Sequence, residues 1–299
     1  MSMNKKGKLF IQGVILSILT LLVVVFINNL LINLSRIGLN LNFNWLLKPA
    51  SFSLAEYSLS FNSSNSYAWA LFIGWLNSLK VIFSSLVIAT IVGILIAFAN
   101  TSNNLLLRII SSSYVTIIRQ TPLLLQLLFW YFVGFLSLKE NTVSFFNSFF
   151  SISNQGIKFS NIILSSEFSA LLFGLSVFTS AFISEVIRGG ILSVPQGQWE
   201  AFRSFGISES KGLIKIIMPQ AFPAIIPGLT SQYLNLAKNS TLAIAVGYSD
   251  IYAINDTIIN QTGRAIECFL ILLISFLLLN LIISNTMEIF NKLVINQRK

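Results

Sequence analysis

Residues 70–99, ALFIGWLNSLKVIFSSLVIATIVGILIAFA, run for thirty positions with Lys80 as their one charged side chain. A helix needs about 20 apolar residues to cross the hydrocarbon core of a bilayer, so this stretch is a span with length to spare, accommodated by tilt. Comparable apolar runs cover Phe10 to Ile32, Ser112 to Leu138, Phe168 to Ile187, Ala221 to Val246 and Ile266 to Ile289. The expected fold is all-α, a polytopic membrane protein with about six transmembrane helices. Composition agrees: 55% of the 299 residues are hydrophobic and 10% charged, against about 25% charged in a soluble domain. The length leaves no room for a separate nucleotide-binding domain.

The first run follows Lys5, Lys6 and Lys8, as the core of a signal peptide does. It is too long for one, and Asn33, Leu34, Ser35 and Arg36 offer no small-residue cleavage site. It reads as a retained helix. Residues 1–69 then form an N-terminal helix with an outer loop, and 70–299 the main membrane domain. Lys and Arg collect on the cytoplasmic side of membrane proteins. With the N-terminus inside, short inner segments hold eleven of these residues and outer ones five, so both termini are expected in the cytoplasm. The net charge of +9 thus reflects topology, and no basic patch interleaved with aromatics points to nucleic acid. One cysteine, Cys268, and no histidine leave neither a disulfide within the chain nor a thiolate or imidazole metal site. No catalytic residue and no metal ligand is assigned.

Between the fourth and fifth runs, residues 188–220 are punctuated by charges, Gly and Pro. Trp199, Phe202 and Phe205 recur every three residues and fall on one side of a short helix. Gly206 suits a left-handed cap, Ser208 an N-cap and Glu209 the positive end of the next helix, which Pro219 is expected to close. The reading is a helix, turn and helix facing the cytoplasm.

The same residues carry a family resemblance. Glu200-Ala201-Phe202, three residues, Gly206, nine residues, then Ile216-Ile217-Met218-Pro219 resemble the EAA loop of ABC-importer permeases, with Phe202 and Met218 as apolar departures. Ile118 to Leu124 (IRQTPLL), Glu185 to Ile191 (EVIRGGI), Pro195 to Gln198 (PQGQ), Met218 to Ala221 (MPQA) and Leu236 to Leu242 (LAKNSTL) resemble polar amino-acid permeases of the histidine and glutamine type. The extra N-terminal helix resembles the general L-amino-acid branch. The resemblance implies an ABC-importer transmembrane domain over 70–299 in a bacterial inner membrane. It also implies coupling through Glu200, Ala201, Phe202 and Gly206. The implied partners are two ABC ATPase subunits that bind ATP and magnesium, a second permease, identical or related, and an extracytoplasmic amino-acid-binding protein, with lipid around them. No Gly-x4-Gly-Lys-Ser/Thr loop is present, so ATP belongs to a separate polypeptide.

A transported amino acid needs donors for its carboxylate and acceptors for its ammonium. Ser231, Asn235 and Lys238 stand at i, i+4 and i+7, and Gln232 and Asn239 widen that face. Lys238 and Arg119 are candidates for the carboxylate and Glu185 for the ammonium, with Gln126 as a further pathway residue. Glu185 and Arg188 are also spaced to pair on one helix, Arg119 to snorkel, and the amides to join helices. A proton-coupled secondary transporter, with Glu185 as carrier, is the alternative class. An intramembrane enzyme has neither a His-containing metal motif nor a Ser/Lys pair in its favour.

Overall fold

The computed structural model describes residues 5–36, 41–56, 58–139, 143–145, 150–159 and 162–296. Parts of both outer segments, and Arg298 and Lys299 of the charge count, lie outside them. The chain divides into two compact units, residues 1–45 and 46–299. The first holds α1 (Lys5–Arg36), whose Ile11–Asn29 stretch is apolar on every face, as a helix in lipid must be.

The second unit opens on α2 (Tyr67–Asn100), capped by Ser66, whose Oγ accepts from Trp69 N at 3.3 Å. Asn104 caps α3 (Leu105–Gln120) by accepting from the amides of Leu106 and Leu107. A single third span over Ser112 to Leu138 was expected, but α3 stops at Gln120. The proline ring of Pro122 disfavours helical backbone in the preceding residue, and Thr121 is extended at φ −101, ψ 133. The chain resumes as α4 (Leu123–Leu128) and a π-helical turn, Phe129–Leu136. Among the described residues, five helical stretches are long and apolar enough to cross a membrane, and Leu123–Leu136 is a shorter apolar piece.

The segment after Leu138, expected from the sequence on the outer side, carried no chemistry legible there, yet its described residues form an antiparallel four-stranded sheet in sequential order. Its strands are β1 (Val143–Phe145), β2 (Phe150–Ser153), β3 (Gly156–Phe159) and β4 (Ile162–Leu164). Ile152 lies opposite Ile157, which lies opposite Leu164, so alternate apolar residues share one face. The helical class holds for the spans, and the sheet is an insertion.

Next come α5 (Ser166–Leu192), α6 (Gln196–Ser204) and α7 (Glu209–Gly212), then a π-helical turn, Leu213–Ile217, that leads into α8 (Met218–Asn239). Pro219 does not close a helix; it sits in the first turn of α8, where a missing amide hydrogen costs nothing. A 3-10 turn, Ser240–Val246, joins α8 to α9 (Ile251–Thr262), and α10 (Ala265–Asn296) ends the described chain.

One buried cluster joins Ala89 of α2, Ile183 and Ile187 of α5, Ile225 and Leu236 of α8 and Leu279 of α10. At Gly93 the second and fifth helices touch: an added Cβ would stand 2.6 Å from Ile183 Cγ2. Polar ties reinforce the packing. The Tyr114 hydroxyl lies 2.8 Å from Ser180 Oγ, and the Thr90 hydroxyl 2.8 Å from that of Tyr233. Beyond the fifth crossing, Asp250 caps α9 by accepting from Ala253 N at 2.8 Å. Burial pushes its carboxyl up to about 7, against the backbone hydrogen bonds that favour the ionised form.

An amphipathic elbow and a polar cleft

The elbow begins at α6. Phe202 is 1% exposed and belongs to the same buried cluster as α2, α5, α8 and α10. Its ring lies against Gly212, where an added Cβ would stand 2.4 Å from Cδ2, so the absence of a side chain there lets α7 rest on the ring. Trp199 packs beside Phe202 with ring centroids 5.8 Å apart, and the Arg203 guanidinium stands 5.6 Å from each ring. Arg203 also donates to both carboxylate oxygens of Glu209, at 2.6 and 3.2 Å. Gln220 donates to Gln198 Oε1 at 3.1 Å and ties α6 to α8.

Phe205 departs from the expected aromatic face. The helix ends at Ser204, Phe205 is the cap residue, and Gly206 at φ +70 turns the chain away. Phe205 is consequently 82% exposed. Gly206 N donates to Arg203 O and Ile207 N to Phe202 O, the pattern of a left-handed helix cap that a side chain would strain. Ser208 stands at the N-cap of α7, though its side chain makes no capping bond. Glu200, which accepts from Gln196 Nε2 at 2.9 Å, and Ala201 face outward beside Phe205.

The pathway candidates separate into three groups. Arg119 and Glu185 meet in a cleft of about 510 Å³ between α3 and α5, lined also by Asn100, Ser112, Thr116 and Arg188. Glu185 accepts from Arg188 Nε and Nη2, both at 2.9 Å, and Arg119 Nη1 lies 3.6 Å from Glu185 Oε2. The pairing that competed with an ammonium-binding role for Glu185 is thus made. Gln126 is absent from the lining: its Nε2 donates to Ile118 O, Thr121 O and Thr121 Oγ1 and bridges the break between α3 and α4. Ser231, Asn235 and Lys238 are exposed on one face of α8, with Gln232 and Asn239 half-buried beside them. Thr116, Ser112 and Arg188 were not singled out as pathway residues. The signal was present, because Ser112, Thr116 and Arg119 repeat the i, i+4, i+7 spacing noticed on α8.

Residues 89–296 match the family model described as binding-protein-dependent transport system inner membrane component. The chain is 32% identical to YhdX of Escherichia coli, whose name assigns it provisionally as an amino-acid ABC transporter permease protein, over 89% of this chain and 88% of that one. It is 31% identical to the general L-amino acid transport system permease protein AapQ of Rhizobium johnstonii, over 88% and 86%. A crystal structure of an amino acid ABC transporter with histidines matches with a TM-score of 0.60 at 26% identity, covering 76% of this chain and 94% of that one. The chain belongs to the family of inner-membrane components of binding-protein-dependent transport systems.

Proposed function

We propose that this chain is the permease subunit of an ATP-driven importer of polar amino acids, with 70–299 as its transport domain. The observation that carries the reading is the double character of α6 and its cap: Phe202 is part of the buried core, whereas Glu200, Ala201 and the cap residue Phe205 are exposed. An element fixed to the core on one side and open on the other is suited to pass the motion of a docked protein into the helices. A separate ATPase holding ATP and magnesium takes the open side, and its closure moves α6 and, through Phe202, α5 and α8. A binding protein delivers substrate from outside, and a second permease completes the pathway. Both termini then lie in the cytoplasm.

On this reading the polar face of α8, Ser231 to Asn239, borders the pathway, and Arg119 and Glu185 shape a cleft along it. Gln126 takes a different part, holding the broken third crossing in shape. Among the described residues, the side chains of Gln232, Asn235 and Lys238 have no hydrogen-bond or ion-pair partner, which favours a face that meets water, substrate or the second permease over one turned to lipid.

The test is uptake into proteoliposomes holding the permease with its ATPase and binding protein. Labelled amino acid should accumulate only with ATP and resist an uncoupler. Glu200→Lys and Gly206→Val should keep the assembly intact while cutting uptake per ATP hydrolysed at least about tenfold, about 1.4 kcal/mol of coupling. Uptake driven by a proton gradient without ATP points to the secondary-transporter class instead.

A further inference from the structure

We infer that the cleft between α3 and α5 is a carboxylate subsite, which makes the pathway favour acidic amino acids over neutral ones and neutral over cationic ones. The inference rests on the importer reading and adds the charge class of its cargo.

Three ionisable side chains line the cleft: Arg119, Glu185 and Arg188. Two positive charges against one negative leave a net charge of +1. Glu185 is already committed, because the fork of Arg188 takes both of its oxygens at 2.9 Å and Arg119 stands 3.6 Å away. A substrate ammonium would have to compete with two guanidinium groups for one carboxylate whose charge is already compensated.

Arg119 is in the opposite condition. Its 3.6 Å approach to Glu185 is longer than a hydrogen bond, and among the described residues its guanidinium donates no hydrogen bond. It lies 5.2 Å from the centre of the Phe182 ring with a side chain 43% exposed. A guanidinium presents five N–H donors in a plane and binds a carboxylate through two of them at once. Resting on an aromatic face, it is held with that fork available to the cleft. Thr116, one turn earlier on α3, adds a hydroxyl to the same lining. Lys238, a further cation on the proposed pathway, has no hydrogen-bond or ion-pair partner among the described residues, so the proposed pathway residues offer a substrate more available positive than negative charge.

The test uses the purified permease–ATPase complex without binding protein and measures equilibrium binding of radiolabelled glutamate, glutamine and lysine. Glutamate should bind about tenfold tighter than glutamine, the scale of one unit charge across a partly hydrated cleft, and lysine, a further unit of charge away, should bind more weakly than glutamine. Raising the salt should weaken glutamate and leave glutamine almost unchanged. Arg119→Gln should cost glutamate about tenfold. Glu185→Gln decides the sign: it should tighten glutamate binding, whereas an ammonium-binding Glu185 requires it to loosen. Lysine binding as tight as glutamate in the unaltered complex, without a salt effect on glutamate, overturns the inference, as does loosening in Glu185→Gln. ATP-driven uptake of any amino acid in the same preparation reports separately on the importer reading, so a cation-preferring pump refutes this inference alone.

Discussion

Phe202 and Asp250 are buried for different reasons, and their substitutions should behave differently. The Phe202 ring fills space between Trp199, Gly212 and the helix core. Phe202→Ala should destabilise the protein by about 3–5 kcal/mol, the range for emptying a buried aromatic site, and should lower coupled uptake even where the chain stays folded. Arg203→Ala removes only an exposed ion pair and ring contacts, so its effect should be small beside that of Phe202→Ala. Thermal unfolding in detergent distinguishes the two, and equal effects would contradict the packing described for Phe202. Asp250 caps α9 from a buried position where its carboxyl titrates near 7, well above the unfolded value of about 3.9. Below pH 4 both states hold the proton. Between about pH 4 and 7 the unfolded chain loses it first, so this residue withdraws stability as pH rises, on the order of a few kcal/mol. Asp250→Asn keeps an N-cap acceptor and should flatten the fall in Tm between pH 4.5 and 7; an unchanged profile would count against a proton held in the folded state.

The broken crossing and α8 show how elements differ from the runs of sequence that encode them. Pro122 ends α3 because it constrains Thr121, and Gln126 then satisfies the carbonyls of Ile118 and Thr121 near the break. A polar side chain in an apolar run was read as a pathway residue, whereas its amide serves the backbone. On α8 the side chains of Ser231, Asn235 and Lys238 are not taken up by the backbone in this way and stay exposed along a long apolar helix. On the proposed reading, in which a pathway between two permeases opens and closes, cysteines at Asn235 and Asn239 should react with a hydrophilic maleimide in one nucleotide state and be shielded in another. Asn235→Cys, the more exposed, should react faster by several-fold. Failure to label in every state would assign the face to a permanent helix contact.

At the scale of the whole molecule, α2 and α5 form the centre of residues 46–299, α8 packs on α5 and α10 on α8, and the elbow is joined to the same core through Phe202 and Ile217. The apolar runs and the spacing from Glu200 to Pro219 were legible without coordinates, because a lipid solvent demands long apolar helices and a loop of short helices keeps its motif residues close together in sequence. Gly206 could be assigned a left-handed cap for the same reason, since its conformation depends on its own backbone. The sheet after Leu138 escaped notice because strands of three or four residues carry little periodicity and depend on pairing with one another. The separate fates of Phe202 and Phe205, alike in sequence spacing, depended on where α6 ended and what α7 laid over it. Sequence alone determined that this chain lives in a membrane and exposes an elbow of the permease type, through local composition and spacing. Only the tertiary structure decided that Glu185 is spent on Arg188 while Arg119 keeps its donors. The balance of charge in a cleft is set by distances between side chains on different helices, and no run of residues along one helix contains them.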